Sequence, residues 1–134
     1  MNRPQINTIM LRTAELFAER STCSRLSVGC VIANEGRIIS SGYNGPLPGQ
    51  PPCNHTTNDP CLVAVHAEQN AIMFAARTGI RLKGSWLYTT HSPCNTCAML
   101  IVQSGIIGVT YIHPFRDTTP NKLLNDHKVY TNEY

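Results

Sequence analysis

The sequence predicts an α/β fold, a three-layer α/β/α sandwich in which helices cover both faces of a mixed five-stranded sheet. Three observations lead to this fold. Segments rich in Val and Ile at 27–33 and 37–42 flank Asn34-Glu35-Gly36, a turn signal that predicts an antiparallel hairpin. A strand, a helix and another strand follow one another over 85–112, which predicts a right-handed crossover between parallel strands. Further helical segments lie outside these units.

Periodicity and composition define the elements of the first half. Apolar residues at helical spacing predict an amphipathic helix over about 4–20, ahead of the hairpin. Residues 42–60 contain five prolines and three glycines, so we expect a long loop there. Helix-forming residues over 65–77 stop at Gly79, a typical C-terminal cap. We therefore expect His66 in the first turn of this second helix.

The second half starts with a buried strand at 85–90. Ser92 can then cap a helix and Pro93 can occupy its first position, which puts Cys94 and Cys97 in the opening turn. The helix is expected to end at Gly105, and 106–112 returns as a strand. The tail predicts a short helix after residue 121 and an edge strand at 128–131.

Length and composition limit the kind of protein. A chain of 134 residues is expected to form a single domain spanning 1–134, and a 42% hydrophobic, 14% charged composition is that of a globular protein. The net charge of +3 comes from scattered residues, so we expect no extended nucleic-acid surface. No window resembles a membrane span or signal peptide, which predicts a cytoplasmic protein with no membrane partner. The six cysteines are then expected to be thiols and metal ligands, and three disulfides are the alternative.

Two motifs carry the chemistry. Val65-His66-Ala67-Glu68 and Ser92-Pro93-Cys94-Asn95-Thr96-Cys97 together offer one imidazole and two thiolates, with a carboxylate two residues after the histidine. Three protein ligands leave the fourth corner of a tetrahedral Zn²⁺ site to water, which is typical of a catalytic zinc. Glu68 is then the catalytic residue that carries protons. Each motif alone also fits a structural zinc half-site or a redox pair.

The combination H-x-E with P-C-x-x-C is the signature of zinc nucleobase deaminases, in which the glutamate is the general acid and base and does not bind metal. For a cytosine ring, Glu68 would move one proton from water to N3 and a second to the departing amine. Uracil and ammonia are the products.

The chain resembles the deoxycytidylate (dCMP) deaminase family of the cytidine deaminase-like superfamily over nearly its full length. The resemblance rests on the zinc motifs and on three further runs: Cys23-Ser24-Arg25-Leu26-Ser27-Val28-Gly29, Gly42-Tyr43-Asn44-Gly45-Pro46 and Ser104-Gly105-Ile106. It implies deamination of dCMP to dUMP, which supplies thymidylate synthesis. It also implies that Asn44 binds the deoxyribose or base, and that backbone groups of Ala67 and Ser92 read the pyrimidine edge.

A dCMP substrate carries a phosphate, and Arg25 and Arg116 are the candidate cations. Phe115 could stack on the ring, and His91, one residue before Ser92, could line the pocket. The alternative is that the arginines are ordinary solvated surface residues.

The resemblance also implies a homo-oligomer, with a hexamer favoured, that dCTP activates and dTTP inhibits. Mg²⁺ would accompany the effector near Gly42, Tyr43, Asn44 and Gly45. Glycine and proline in this segment equally fit a plain turn.

A second ligand cluster consists of Cys23, Cys53, His55 and Cys61. Three thiols and an imidazole could hold a structural zinc that orders the long loop. Some members of the family that the chain resembles carry such a second zinc. The alternative is that these residues are free thiols in a loop that packs without metal. The spacing of the four ligands along the chain is irregular compared with the paired C-x₂₋₄-C pattern of structural zinc sites.

Two other functions share the signature. A tRNA adenosine or other nucleobase deaminase would use the same ligands and glutamate, but the weak basicity argues against an RNA substrate. A non-catalytic zinc-scaffold subunit would retain the fold alone, and the intact Glu68 opposes that interpretation.

Overall fold

The computed structural model describes residues 1–54 and 61–134 and contains one mixed five-stranded sheet. Its spatial order is β2-β1-β3-β4-β5, with β1 antiparallel to β2 and β3, and β4 parallel to β3 and β5. The mixed sheet and the edge position of the last strand confirm the predictions. The strands are β1 (Gly29–Asn34), β2 (Arg37–Tyr43), β3 (Trp86–His91), β4 (Gly108–His113) and β5 (Tyr130–Glu133).

Helices cover both faces of the sheet, as the three-layer prediction requires. They are α1 (Ile6–Ala18), α2 (Ala67–Thr78), α3 (Asn95–Ser104) and α4 (Thr119–Asp126). Helix α1 packs on one face against Val31, Ala33 and Tyr88, and the other three helices pack on the opposite face with the larger core. Successive residues of β1 are buried on alternate faces, which is why this strand is apolar at every interior position. Among the described residues, no helix combines the length and apolarity needed to cross a bilayer.

The two helices that carry the zinc motifs begin later than predicted. His66 and Cys94 are extended residues that precede the first residues of α2 and α3, so neither lies inside a first turn. Ser92 does not cap α3, because its hydroxyl accepts a hydrogen bond from the backbone N–H of Phe115 at 2.9 Å. The predicted ends are confirmed, since Gly79 and Gly105 close the helices in the left-handed conformation.

A glycine fixes the approach of β2 to α2. A Cβ atom on Gly42 would lie 2.3 Å from the carbonyl oxygen of Ala67 and 2.8 Å from the backbone nitrogen of Ala71. Only a residue without a side chain allows the strand to come this near to the helix N-terminus. This contact places the start of α2, and therefore His66, over the sheet.

Candidate active site

Helices α2 and α3 point their N-termini toward one place, where three metal-type ligands meet. The Nδ1 atom of His66 lies 3.5 Å from Sγ of Cys94 and 3.3 Å from Sγ of Cys97. The three ligand atoms all lie within 4.8 Å of one another, and the cluster is half-buried to buried. Residues separated by about thirty positions in the sequence are thus brought together as predicted.

These distances fit a zinc ion. Zn–S bonds of about 2.3 Å and Zn–N bonds of about 2.0–2.1 Å at tetrahedral angles separate a nitrogen and a sulfur ligand by about 3.6 Å. The two observed distances from Nδ1 of His66 to the sulfur atoms are close to this expected separation. Because Nδ1 faces both sulfurs, it is the imidazole atom that would bind the metal. The donor set of one nitrogen and two sulfurs matches zinc chemistry.

The electrostatics of the thiols favour metal binding. Hydrogen bonding to the Cys97 thiol is the main effect that lowers the pKa of Cys94 to about 4, and His66 contributes in the same direction. The same contact raises the pKa of Cys97. The lowered pKa of Cys94 favours its thiolate, which is the form that binds metal.

Glu68 lies in the first turn of α2 and is only 4% exposed. Its Oε1 atom accepts a hydrogen bond from the Thr89 hydroxyl at 3.2 Å. Burial raises the pKa of this carboxyl above its ordinary value. A carboxyl whose pKa is shifted toward neutrality can both accept and return a proton during a reaction.

A cavity of about 110 Å³ opens onto His66, Cys94 and Glu68. Five of the six predicted substrate residues line it, namely Arg25, Asn44, Ala67, Ser92 and Phe115. Arg116 is exposed and is not among the lining residues. The two candidate phosphate ligands therefore differ in position, and Arg25 is the one at the cavity.

Several predicted substrate contacts are partly occupied by the protein itself. Asn44 accepts a hydrogen bond from the backbone N–H of Val28 at 2.8 Å and donates one to the carbonyl of Leu26 at 2.7 Å. The Ser92 N–H donates to the carbonyl of His113 at 2.9 Å, and the Ala67 carbonyl accepts from the thiol of Cys30 at 3.2 Å. Considering only partners within 1–54 and 61–134, the groups still available to a base are the Ser92 carbonyl, the Ala67 N–H and the second amide hydrogen of Asn44.

Thr89 is a residue of the site that the sequence did not single out. It is fully buried in β3 on the face that α2 covers, where it meets Glu68. A polar residue inside an otherwise buried strand was the available signal. The carboxylate that it contacts lies twenty-one positions away, so its partner could not be read from spacing.

The second predicted cluster also assembles. The sulfur atoms of Cys23, Cys53 and Cys61 lie within 4.8 Å of one another, while His55 lies outside the described residues. All six cysteines of the chain are free thiols, which rules out the disulfide alternative in this structure. Cys23 and Cys61 also line the cavity, so the two clusters are neighbours.

Backbone N–H groups point at two sulfurs of this second cluster. Burial opposes ionisation of Cys23 and Cys61, but the N–H groups two and three residues after each cysteine lower the pKa of both. Burial is the main effect that raises the pKa of Cys53 to about 11. Thiolates that accept backbone N–H bonds are prepared to bind a cation.

The predicted effector segment lines a different cavity of about 430 Å³. Gly42, Tyr43 and Gly45 border it, whereas Asn44 between them faces the first cavity. Arg20 lies over the ring of Tyr43, with its Cζ 5.5 Å from the ring centroid, and the Cζ of Arg77 lies 5.7 Å from that of Phe74. Two cations and two aromatic rings thus surround this cavity.

The sheet, the helix pair and the His-Cys-Cys cluster beside a buried glutamate are the features of a zinc-binding domain with a cytidine deaminase-like fold. The sequence model of the family described as "Cytidine and deoxycytidylate deaminase zinc-binding region" matches residues 4–113. The chain belongs to this family. The resemblance expected from the sequence is thereby confirmed.

Named relatives agree with this family. The chain is 38% identical over 120 residues to ComE operon protein 2 of Bacillus subtilis, covering 87% of this chain and 64% of that protein. It is 37% identical over 124 residues to the deoxycytidylate deaminase of Saccharomyces cerevisiae, covering 85% of this chain but 39% of the yeast protein. The chain thus spans less than two thirds of the length of these two relatives.

A solved structure matches the whole fold. The dCMP deaminase of the cyanophage S-TIM5, in complex with dCMP and dUMP, superposes with a TM-score of 0.91 at 32% identity. The match covers 100% of both chains. This likeness confirms the predicted cytidine deaminase-like sandwich.

Proposed function

We propose that the protein hydrolyses dCMP to dUMP and ammonia, and so supplies dUMP for thymidylate synthesis. The observation that carries the proposal is the position of Glu68, buried at the cavity beside His66, Cys94 and Cys97. A closed structural zinc site has no use for such a carboxylate. The name of the cyanophage protein, which matches over its full length, supports dCMP as the substrate.

The residues of this chain would divide the reaction between them. Zinc bound by His66, Cys94 and Cys97 would lower the pKa of a coordinated water from about 15.7 to near 7. The Glu68 carboxylate accepts a proton from the attacking water and delivers it to ring N3, so that the water oxygen bonds to C4. Glu68 then takes the proton of the new C4 hydroxyl and transfers it to the exocyclic nitrogen, so that the C4–N bond breaks, the C4 carbonyl forms and ammonia leaves.

The cavity residues would hold the nucleotide. The Ser92 carbonyl can accept a hydrogen bond from the exocyclic amine, and the Ala67 N–H can donate to the pyrimidine oxygen. Asn44 orders the segment around Leu26 and Val28 and retains one amide hydrogen for the deoxyribose. Phe115 would pack on the ring, and Arg25 and Arg116 would bind the phosphate, with Arg25 as the main contact.

Ultraviolet absorbance of purified protein incubated with dCMP, deoxycytidine, cytidine and an adenosine stem-loop tests the activity. We expect the cytosine absorbance to fall when dCMP is the substrate. The kcat/KM for dCMP should be well above the values for the other three substrates. Turnover of the stem-loop alone would instead identify a tRNA adenosine deaminase. No turnover of any substrate by zinc-loaded protein would favour the scaffold alternative.

We further propose that dCTP activates and dTTP inhibits the enzyme by binding at the second cavity. The two arginines suit a triphosphate and the two aromatic rings suit a base. Mg²⁺ would arrive bound to the triphosphate. The backbone of Gly45 exchanges hydrogen bonds of 3.1 and 2.8 Å with Val65, the residue before His66, which supports mechanical coupling of the two sites.

Initial rates at subsaturating dCMP, with and without each triphosphate, test this regulation. We expect Arg77→Ala to lose the response to both effectors while the rate without effector stays within about twofold. Arg37→Ala, an exposed arginine of β2 outside both cavities, is the matched control. Flat responses of the wild-type protein to both nucleotides would reject the regulation and leave the deaminase activity untouched.

A structural zinc held by Cys23, Cys53, Cys61 and His55 is also part of the proposal. The convergence of three sulfurs and the N–H groups aimed at two of them support it. Because Cys23 and Cys61 line the cavity, this metal would order one wall of the substrate site as well as the loop.

The protein is further proposed to form a cytoplasmic homo-oligomer, with a hexamer favoured. Apolar side chains exposed on β2, α2 and α3 support a subunit interface: Ile38, Met73, Phe74 and Met99. Free thiols at all six cysteines are consistent with a reducing compartment. Light scattering after size-exclusion chromatography measures the assembly, and a monomer at micromolar concentration would reject it.

A further inference from the structure

His91, at the end of β3, lines the active-site cavity but has no role in the reaction described above. Its Nδ1 atom lies 2.8 Å from the hydroxyl oxygen of Thr90. The ring is half-buried, and among the described residues its other nitrogen, Nε2, makes no hydrogen bond. The direction of the Thr90 hydrogen bond decides what this nitrogen offers.

The hydroxyl of Thr90 must donate to His91. Thr90 is 3% exposed, and its oxygen already accepts a hydrogen bond from the backbone N–H of Gly29 at 3.2 Å. Its hydroxyl hydrogen needs an acceptor, because a buried unpaired donor costs about 1–3 kcal/mol. Within residues 1–54 and 61–134, His91 Nδ1 is the acceptor that the contacts provide. Nδ1 is therefore unprotonated.

A neutral imidazole that accepts at Nδ1 carries its hydrogen on Nε2. Burial and the neighbouring His113 both lower the pKa of His91, which keeps the ring neutral at physiological pH. The ring of His91 would thus present one fixed N–H donor to the cavity and no acceptor.

The ring is also held in place. His91 pairs with His113 in the register of β3 and β4, with ring centroids 4.9 Å apart, and Phe115 stacks at 6.3 Å. Two further hydrogen bonds connect the ends of β3 and β4 beside the ring: the Ser92 N–H donates to the His113 carbonyl, and the Phe115 N–H donates to the Ser92 hydroxyl. A donor fixed this firmly loses little entropy when it binds a ligand.

We propose that His91 is a specificity-determining residue whose Nε2–H donates a hydrogen bond to an oxygen atom of the bound nucleotide. This inference rests on the proposed nucleotide substrate. The oxygen can belong to the phosphate or to the nucleoside, and both are acceptors. A ligand that places a donor against His91 would be disfavoured, because its own hydrogen would face Nε2–H.

Two amide variants distinguish the ring nitrogens. The amide nitrogen of glutamine in His91→Gln reaches the position of Nε2, whereas that of asparagine in His91→Asn reaches only the position of Nδ1. His91→Leu removes both. His127→Gln, at the residue that follows helix α4 and outside the cavity lining, is the control for a histidine-to-glutamine change. Calorimetric Kd values for dUMP and deoxyuridine, with kcat and KM for dCMP, are measured on zinc-loaded proteins of matched melting temperature.

We expect His91→Gln and His127→Gln to bind dUMP within about twofold of wild type, and His91→Asn and His91→Leu to bind it about tenfold more weakly. KM should rise with Kd, while kcat changes by less than about threefold. A loss seen with dUMP but not deoxyuridine assigns the phosphate as acceptor, and equal losses assign a nucleoside oxygen. Unchanged binding by His91→Leu, or equal damage in His91→Gln and His91→Leu, would overturn the proposal.

The tautomer is tested without any ligand. Long-range ¹H–¹⁵N correlation spectra of the zinc-loaded protein should show His91 as the Nε2–H tautomer, and Thr90→Val should abolish that preference. An Nδ1–H tautomer in the wild-type protein contradicts the inference directly. If the spectra agree but dUMP fails to bind the wild-type protein, the proposed substrate is wrong and the fixed donor at His91 stands.

Discussion

The hydroxyl of Thr89 lies 3.2 Å from Oε1 of Glu68 and joins the central strand to the carboxylate that is proposed to move protons. The same hydroxyl lies 2.9 Å from the carbonyl oxygen of His91, so its hydrogen is shared between two acceptors. Thr89 therefore positions Glu68 without facing the substrate, since it is not among the residues that line the cavity.

Replacing Thr89 by valine should lower kcat about five- to tenfold with little change in KM, because one hydrogen bond to a charged group is lost from a buried site. A hydrogen bond to the ionised carboxylate lowers its pKa, so its loss raises the pKa of Glu68 further. In a plot of kcat/KM against pH, the fall in activity on the acidic side should therefore move to higher pH. Thr89→Ser keeps the hydroxyl and should keep both values, and a Thr89→Val enzyme with wild-type kcat and pH profile would contradict this positioning role.

Glu68→Gln retains the shape of the side chain but cannot accept a proton. We expect kcat to fall by about 10²–10⁴-fold, the usual contribution of general acid–base catalysis. Zinc content by atomic absorption should stay at the wild-type value, because Glu68 is not a ligand, and the Glu68→Ala variant should behave in the same way. Near-wild-type turnover in either variant would remove Glu68 from the mechanism.

Zinc content tests the two clusters separately. The wild-type protein should contain two zinc ions per chain, and Cys53→Ser should contain one and melt at a lower temperature. Cys97→Ser should also lose one zinc, together with all activity. Cys30→Ala is the control, because Cys30 is a buried cysteine that belongs to neither ligand cluster, and the variant should keep both ions. A single zinc in the wild-type protein would reject the structural site.

The two arginines should not contribute equally to phosphate binding. Arg25→Ala should raise KM for dCMP about tenfold or more and leave that for deoxycytidine within about twofold, because only dCMP carries the phosphate. Arg116→Ala should have a smaller effect, since Arg116 is exposed and outside the cavity lining. A larger effect of Arg116→Ala, measured on the same two substrates, would reverse the assignment.

Gly42→Ala should destabilise the fold and the metal site together. Its new methyl group would meet the backbone of Ala67 and Ala71, and such overpacking costs about 1–3 kcal/mol. Denaturant unfolding should show that loss, and zinc affinity should fall because the start of α2 holds His66. Ser41→Ala, the preceding residue of β2, is the control and should change stability by less than about 1 kcal/mol. Equal stabilities of Gly42→Ala and wild type would show that β2 can move away from the helix.

The sequence by itself determined the features that depend on neighbours along the chain. The hairpin followed from Asn34-Glu35-Gly36, where Glu35 and Gly36 both have positive φ, and the crossover followed from alternating strand and helix patterns. The proposed metal ligands and Glu68 were identifiable because their residue types and local spacing are what a zinc deaminase motif requires. The starts of α2 and α3 were predicted too early, and that of α4 too late. At α3 the reason is that the hydroxyl of Ser92 binds Phe115, a residue of a later segment.

Only the tertiary structure decided which distant groups meet. It turned Nδ1 of His66 toward the sulfurs of Cys94 and Cys97 and joined Thr89 to Glu68. It also placed Arg25 at the cavity and left Arg116 outside it. It also brought Cys23, Cys53 and Cys61 together and placed the hydroxyl oxygen of Thr90 2.8 Å from Nδ1 of His91. Each of these depends on how close two segments approach after the sheet and helices pack. Local periodicity and residue spacing do not encode those distances.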